Sequence, residues 1–285
     1  MILNNIKEAK QFLPSLNLTL DNDRFKDFFR SAQLWLVANV IGTDIEDVLE
    51  TDFELGHEDI HEDLRRLCQR VIAEKALLTV IPEMDMQLTE AGFAVQNNAD
   101  YSPASSQRVD RLLQTLPKRM ASDADALVRY LMECSIGNGA YGYWRSSQQF
   151  MRLTAAFNPY WTQYCLMANP SAEPIGYDAF LERTDRAAKA ILKVADYYVS
   201  RAEIERLREL YRDGDTLEEH RTVIDELVRV GIAAVDGDMR RARDLAAYAH
   251  SLMIDDIGFF PEFAASKAYN ATHINLDGGN VVNFL

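Results

Sequence analysis

The stretch Gln33-Leu34-Trp35-Leu36-Val37-Ala38-Asn39-Val40-Ile41-Gly42-Thr43-Asp44 decides how this chain is read. From Asp23 onward the apolar residues Phe25, Phe28, Phe29, Ala32, Trp35, Leu36 and Val40 recur at helical spacing. Gly42 is expected to stop that helix, and Thr43 or Asp44 to cap a short one bearing Ile45, Val48 and Leu49. More than a hundred residues later the layout returns: Gln163 to Asn169 leads to Ile175-Gly176-Tyr177-Asp178 and then Leu181-Glu182. Two copies of helix, Ile-Gly-x-Asp and second helix predict a duplicated helical unit. The expected fold is mainly α, with two helical-bundle subdomains, a small β-hairpin or extended linker, and an extended tail.

Outward from the first copy, Ile60, Leu64, Leu67, Val71, Ala73 to Leu78 and Val80 predict a longer core helix that Pro82 ends. Asp85 to Val95, with Gly92 inside it, reads as a turn or small hairpin, and Asn97 to Ser106 as loop. Helices are expected from Ser105 to Leu116, broken at Pro117, and from Asp123, as N-cap, to Cys134. Ile136-Gly137-Asn138-Gly139-Ala140-Tyr141-Gly142-Tyr143-Trp144 then packs three glycines and three aromatics into nine residues. That composition reads as a linker, an Asn-Gly hairpin tip or a flexible binding arm. The expected domains are therefore 1–136, a linker or hairpin at 137–145, a second helical domain at 146–269, and a tail at 270–285.

In the second half, Ser146 or Ser147 caps a helix through Phe150, Met151, Leu153 and Phe157, and Pro159 opens another. Asp178 to Tyr211 is largely helix-compatible, and Asp213-Gly214-Asp215 ends it. Thr216, with Glu219 three residues on, predicts a capping box, and Asp238 to Ile254 predicts one more helix. The tail carries strand-like residues around Asp277-Gly278-Gly279.

Length and composition set the class. With 285 residues, 48% hydrophobic and 26% charged, the chain can bury one large core or two ordinary ones. Its net charge of −14 repels the phosphate backbone and argues against tight nucleic-acid binding. No run reaches the length of about eighteen apolar residues that a membrane span needs, and the first residues lack the pattern of a secretory signal, so no membrane partner and a cytoplasmic location are expected. Cys68, Cys134 and Cys165 are too scattered and too odd in number for a disulfide framework.

One stretch has the form of a catalytic motif. His57-Glu58-Asp59-Ile60-His61 fits H-E-x-x-H, in which histidines one turn apart hold zinc and the glutamate acts as base, with Glu74 as a conceivable third ligand. Its setting argues otherwise, since Glu54, Glu58, Asp59, Glu62 and Asp63 make a charged turn that the helix dipole alone explains. Gly137-Asn138-Gly139 lacks the Gly-Lys-Ser/Thr ending of a phosphate loop. The turns at Asp213-Gly214-Asp215 and Asp236-Gly237-Asp238 lack the ligand spacing of a calcium loop. No catalytic, cofactor-binding or metal residue is assigned, and no cofactor is expected.

The order of Ala32-Gln33-Leu34-Trp35-Leu36, Ile41-Gly42, the long helix to Pro82, Asp85-Met86-Gln87-Leu88-Thr89-Glu90-Ala91-Gly92-Phe93, Ser102-Pro103-Ala104-Ser105 and Ser146-Ser147-Gln148-Gln149-Phe150 resembles an uncharacterised, all-helical family encoded among the structural genes of bacterial prophages. The likeness runs over most of the chain, and the Leu-Thr-x-Ala-Gly stretch is its most distinctive part. The plan is also similar to that of head-tail connector, or adaptor, proteins that assemble into rings. The resemblance implies a non-enzymatic virion protein that self-assembles and contacts other virion proteins, made in the host cytoplasm and then carried in the virion. It defines no catalytic residues. Tyr141 to Trp144 and Asn270 to Leu285 would then serve as docking arms. The competing expectations are a zinc-dependent hydrolase built on His57, Glu58 and His61, and a helical protein-binding scaffold unrelated to phage.

Overall fold

The computed structural model describes residues 1–13, 22–55, 61–84, 87–89, 92–94, 106–136, 139–168 and 172–269. Of 22–24, 52–55, 82–84, 87–89, 92–94, 106 and 108 it describes the backbone alone. The fold is mainly α. The chain divides into two compact units, residues 1–150 with 174–177, and residues 151–173 with 178–285.

Unit 1 opens with α1 (Ile6–Lys10), capped by the Asn5 side chain, which accepts from the Glu8 amide. Next comes α2 (Asn22–Leu36). Gly42 ends this rod as expected, as the C-cap of its last turn. A π-helical turn at Val37–Ile41 carries the backbone directly into α3 (Gly42–Leu55). Gly42 absorbs the change of direction at φ +78° and ψ 171°, a conformation essentially restricted to glycine. The long helix α4 (Glu62–Met84) continues two residues past Pro82.

Two short strands, β1 (Gln87–Thr89) and β2 (Gly92–Ala94), pair antiparallel with Leu88 opposite Phe93. A 29-residue helix, α5 (Ser106–Cys134), follows. Here the expected break at Pro117 and fresh start at Asp123 are corrected, because Pro117 lies inside one continuous helix. The turn before it, Arg111 to Thr115, is exposed, so water can satisfy the carbonyl that proline leaves unbonded. The amphipathic faces of α2, α4 and α5 bury Phe29, Leu36, Leu64, Val71, Ile72, Leu127 and Leu131 against one another.

The expected linker at 137–145 is also corrected. Gly137 and Asn138 lie outside the described residues, but Tyr141 and Trp144 are 3% and 1% exposed, and Gly142–Ser146 forms a 3-10 turn rather than a hairpin. The boundary between units falls after Phe150, inside α6 (Gln148–Thr154). Aromatic residues here fill a core, so composition alone misread a buried segment as a tether. Ser147 Oγ accepts from the Phe150 amide at 3.1 Å and caps α6.

Unit 2 is built from α7 (Trp161–Ala168), α8 (Tyr177–Val199) from Asp178 on, α9 (Arg201–Asp213), α10 (Glu218–Val235), α11 (Met239–Asp255) and the short α12 (Pro261–Ala264). The run from Asp178 to Tyr211 is two helices rather than one. Ser200, at φ 70°, turns the chain and accepts from the Glu203 amide to start α9. Gly214, in the left-handed region, ends α9, and the Asp238 carboxylate caps α11 by accepting from the Arg241 amide.

The capping box predicted at Thr216 and Glu219 is not what starts α10. Leu217 is the N-cap, and the His220 ring reaches back instead, its Nδ1 accepting from the Leu217 amide at 3.2 Å. Ala242, Ala246 and Ala249 keep α11 thin where it packs on α10. Gly231 serves α10 in the same way, since a Cβ there would meet Ala187 Cβ at 3.0 Å.

The two Ile-Gly-x-Asp copies are not structural equivalents. Gly42 joins a π turn to α3 at positive φ, whereas Gly176 has no positive φ and stands in a segment without regular structure before α8. The tail at 270–285 lies outside the described residues.

Candidate functional site

The π turn is the most heavily buttressed place in unit 1. A π turn misaligns the i to i−4 ladder and leaves carbonyls that need other donors. Trp144 Nε1 donates to the Val40 carbonyl at 2.9 Å, and Gln149 Nε2 donates to the Ala38 carbonyl at 3.3 Å. Phe150 packs edge-on against the Trp144 indole at 5.1 Å, and the Arg145 guanidinium lies 5.5 Å from the Phe150 ring centre. A Cβ at Gly42 would sit 3.0 Å from Gln149 Oε1, which would have to give slightly, so it is the positive φ that calls for glycine there.

Residues 31–154 match a family of unknown function (DUF6712). The matched stretch starts in α2 and ends with α6, so it carries both halves of this lock. It spans less of the chain than the likeness read from the sequence. No curated protein and no solved structure matches the chain.

Gln33, almost fully buried, anchors the other side of α2. Its Oε1 accepts from the Ile2 amide at 2.8 Å, while Nε2 donates to Glu46 Oε1 at 2.6 Å and Glu50 Oε1 at 2.9 Å. Ile2 and Leu3 are thereby held in the core.

Of the H-E-x-x-H stretch, His57 and Glu58 lie outside the described residues. His61 stands at the start of α4, with Nδ1 2.8 Å from the Tyr141 hydroxyl, and Tyr141 stacks at a tilt on Tyr130 at 6.1 Å. Burial, with Tyr130 beside it, pushes the Tyr141 phenol up from its usual range. Glu74 is thirteen residues farther along, roughly 20 Å at the helical rise, too far to share a metal with His61. Among the described residues no group of three or more His, Cys, Asp and Glu is placed to hold a metal ion.

Glu74 is nevertheless distinctive, for reasons that its helical spacing does not show. It is 1% exposed, with Arg119 Nε donating to its Oε1 across from α5. Its Oε2 has no hydrogen-bond partner while ionised and faces Asp123, whose own carboxylate accepts from Arg70 Nη1 at 3.1 Å. Burial, then the nearby Asp123 charge, raises the Glu74 carboxyl to about 7 despite Arg119. This is a titratable clamp between α4 and α5.

Unit 2 uses its polar residues in the same way. The buried Glu203 carboxylate accepts from Arg206 Nε and from the Phe263 amide, both at 2.8 Å, and so fastens α12 to α9. His220 Nε2 meets the Phe259 carbonyl at 3.1 Å; with Nδ1 accepting from Leu217, Nε2 carries the proton. His250 Nδ1 donates to the Tyr198 carbonyl at 2.6 Å. Arg152 grips Asp185, with its closest approach from Nη2 to Oδ2 at 2.7 Å.

Proposed function

We propose that this chain is a non-enzymatic structural protein of a prophage virion, a head-tail connector or adaptor that assembles into an oligomer. One observation carries the reading: the three described histidines and the buried Glu74 and Glu203 serve as ties within the fold. His61 meets Tyr141, Glu74 meets Arg119, Glu203 holds α12, and His220 and His250 bind backbone carbonyls. Such a pattern fixes shape, which is what a subunit of an assembly must keep. The prophage resemblance supplies the context, and the match to an uncharacterised family is compatible with it. An acidic exterior suits a protein that neighbours travelling DNA without gripping phosphate.

The test is negative-stain imaging of the purified chain with the neighbouring virion proteins. Ring-like particles, or attachment to the head-tail junction, support the reading; a monomer that joins none of them defeats it. Metal analysis addresses the hydrolase alternative, which requires stoichiometric zinc lost on replacing His57 or His61.

A further inference from the structure

A cleft of about 400 Å³ opens in unit 2 between the C-terminal part of α8 and the start of α11. Lys193, Val194, Tyr197 and Tyr198 line one side, Met239 and Arg243 the other. Tyr197 is 69% exposed and Met239 39%, unusual for large apolar groups that meet in one place. Tyr, Met and Arg are the residue types that protein interfaces favour. Neither Lys193 nor Arg243 has a carboxylate partner among the described residues. Arg186 and Lys189 continue the same exposed face of α8 at helical spacing.

The chain itself carries the complement. The twenty residues from Asp44 to Asp63 hold ten carboxylates and no lysine or arginine. They cover most of α3, on which Asp44 and Asp47 are exposed. The geometry points to the cleft as the seat for a second copy of this chain, which inserts the acidic face of its α3 between Lys193 and Arg243, with Tyr197 and Met239 supplying apolar contact. This deepens, and rests on, the assembly reading above. A contact between different surfaces on the two copies is head-to-tail, so it propagates until it closes as a ring or runs on as a filament. Opposite charges set its register and encounter rate, and salt weakens it.

The experiment is sedimentation velocity on the full chain at low and high salt, with two charge-reversed variants checked for fold by circular dichroism. One is K193E/R243E, the other D44K/D47K. Each alone is expected to weaken association by roughly tenfold or more, while an equimolar mixture regains it, because each variant then meets opposite charge on the other. Wild type that stays monomeric at low salt, association indifferent to both variants, or a mixture no better than its parts would overturn the proposal. Indifference to the variants leaves the virion reading standing with another contact. Salt-sensitive association by a chain absent from virions sinks that reading and leaves the contact.

Discussion

Trp144 and Val40 stand 104 positions apart in sequence, yet the indole Nε1 donates to the Val40 carbonyl at 2.9 Å. That bond joins the segment after α5 to the π turn after α2. It converts a glycine- and aromatic-rich stretch into part of the unit 1 core. Trp144→Phe keeps most of the ring and leaves the Val40 carbonyl without its donor. The expected cost is on the order of 1–3 kcal/mol, visible as a lower urea midpoint at unchanged slope. A loss near zero would mean that the bond contributes nothing to stability.

Gly42→Ala is opposed chiefly by a φ of +78°, with the flexible Gln149 side-chain end having to give slightly. A loss on the order of 1–3 kcal/mol is expected from the backbone conformation alone. Gly176→Ala, with open space around the site and no positive φ, should change thermal stability little. Equal effects at the two glycines would restore the idea of a structural repeat.

The Glu74 carboxyl binds its proton near pH 7 in the fold, against 4.5 for an ordinary glutamate. Between those values the folded state holds more protons than the unfolded one, so unit 1 should gain stability as pH falls from about 7 to 4.5 and lose it as pH rises through that window. The gain from this group is on the order of 1–3 kcal/mol. Glu74→Gln mimics the protonated form, so it should flatten this dependence and exceed wild type in stability at pH 8. Chemical denaturation across the range checks both; an unaltered profile in the variant would assign the dependence to other groups.

Cys68 is fully buried in α4, and burial pushes its thiol up to about 12. Cys134 and Cys165 are half-buried. A thiol-reactive probe on the native chain should therefore label Cys68 only after unfolding, with the other two reacting earlier. Peptide mapping of the labelled protein distinguishes them.

Removing the Glu203 carboxylate leaves the Phe263 amide and Arg206 without their buried acceptor. Glu203→Ala should cost on the order of 3–5 kcal/mol and free α12, raising amide exchange at Phe263 before the rest of unit 2. Uniform exchange across the unit would deny α12 this anchor.

Much of this architecture was legible from local patterns. Helical spacing found α2, α4, α10 and α11, and the cap at Ser146 or Ser147 and the stop at Asp213-Gly214-Asp215 followed from side-chain chemistry within a few residues. What failed was non-local. The stop at Gly42 was readable, but the π turn before it, whose carbonyls Trp144 and Gln149 serve, was not. Pro117 stays helical because its preceding turn faces solvent. Tyr141 and Trp144 looked like a tether until the core that receives them was seen. Glu74 is an ordinary helical glutamate by spacing, and only α5 brings Arg119 and Asp123 to it. The likeness between Ile41-Gly42 and Ile175-Gly176 was real in letters and absent in backbone.

The central claim is that this fold serves assembly within a virion. Mass spectrometry of purified particles released from an induced host tests it most directly. Peptides of this chain are expected in tailed particles at a fixed stoichiometry to the portal. Particles free of the chain, while the surrounding lysate contains it, would contradict the claim.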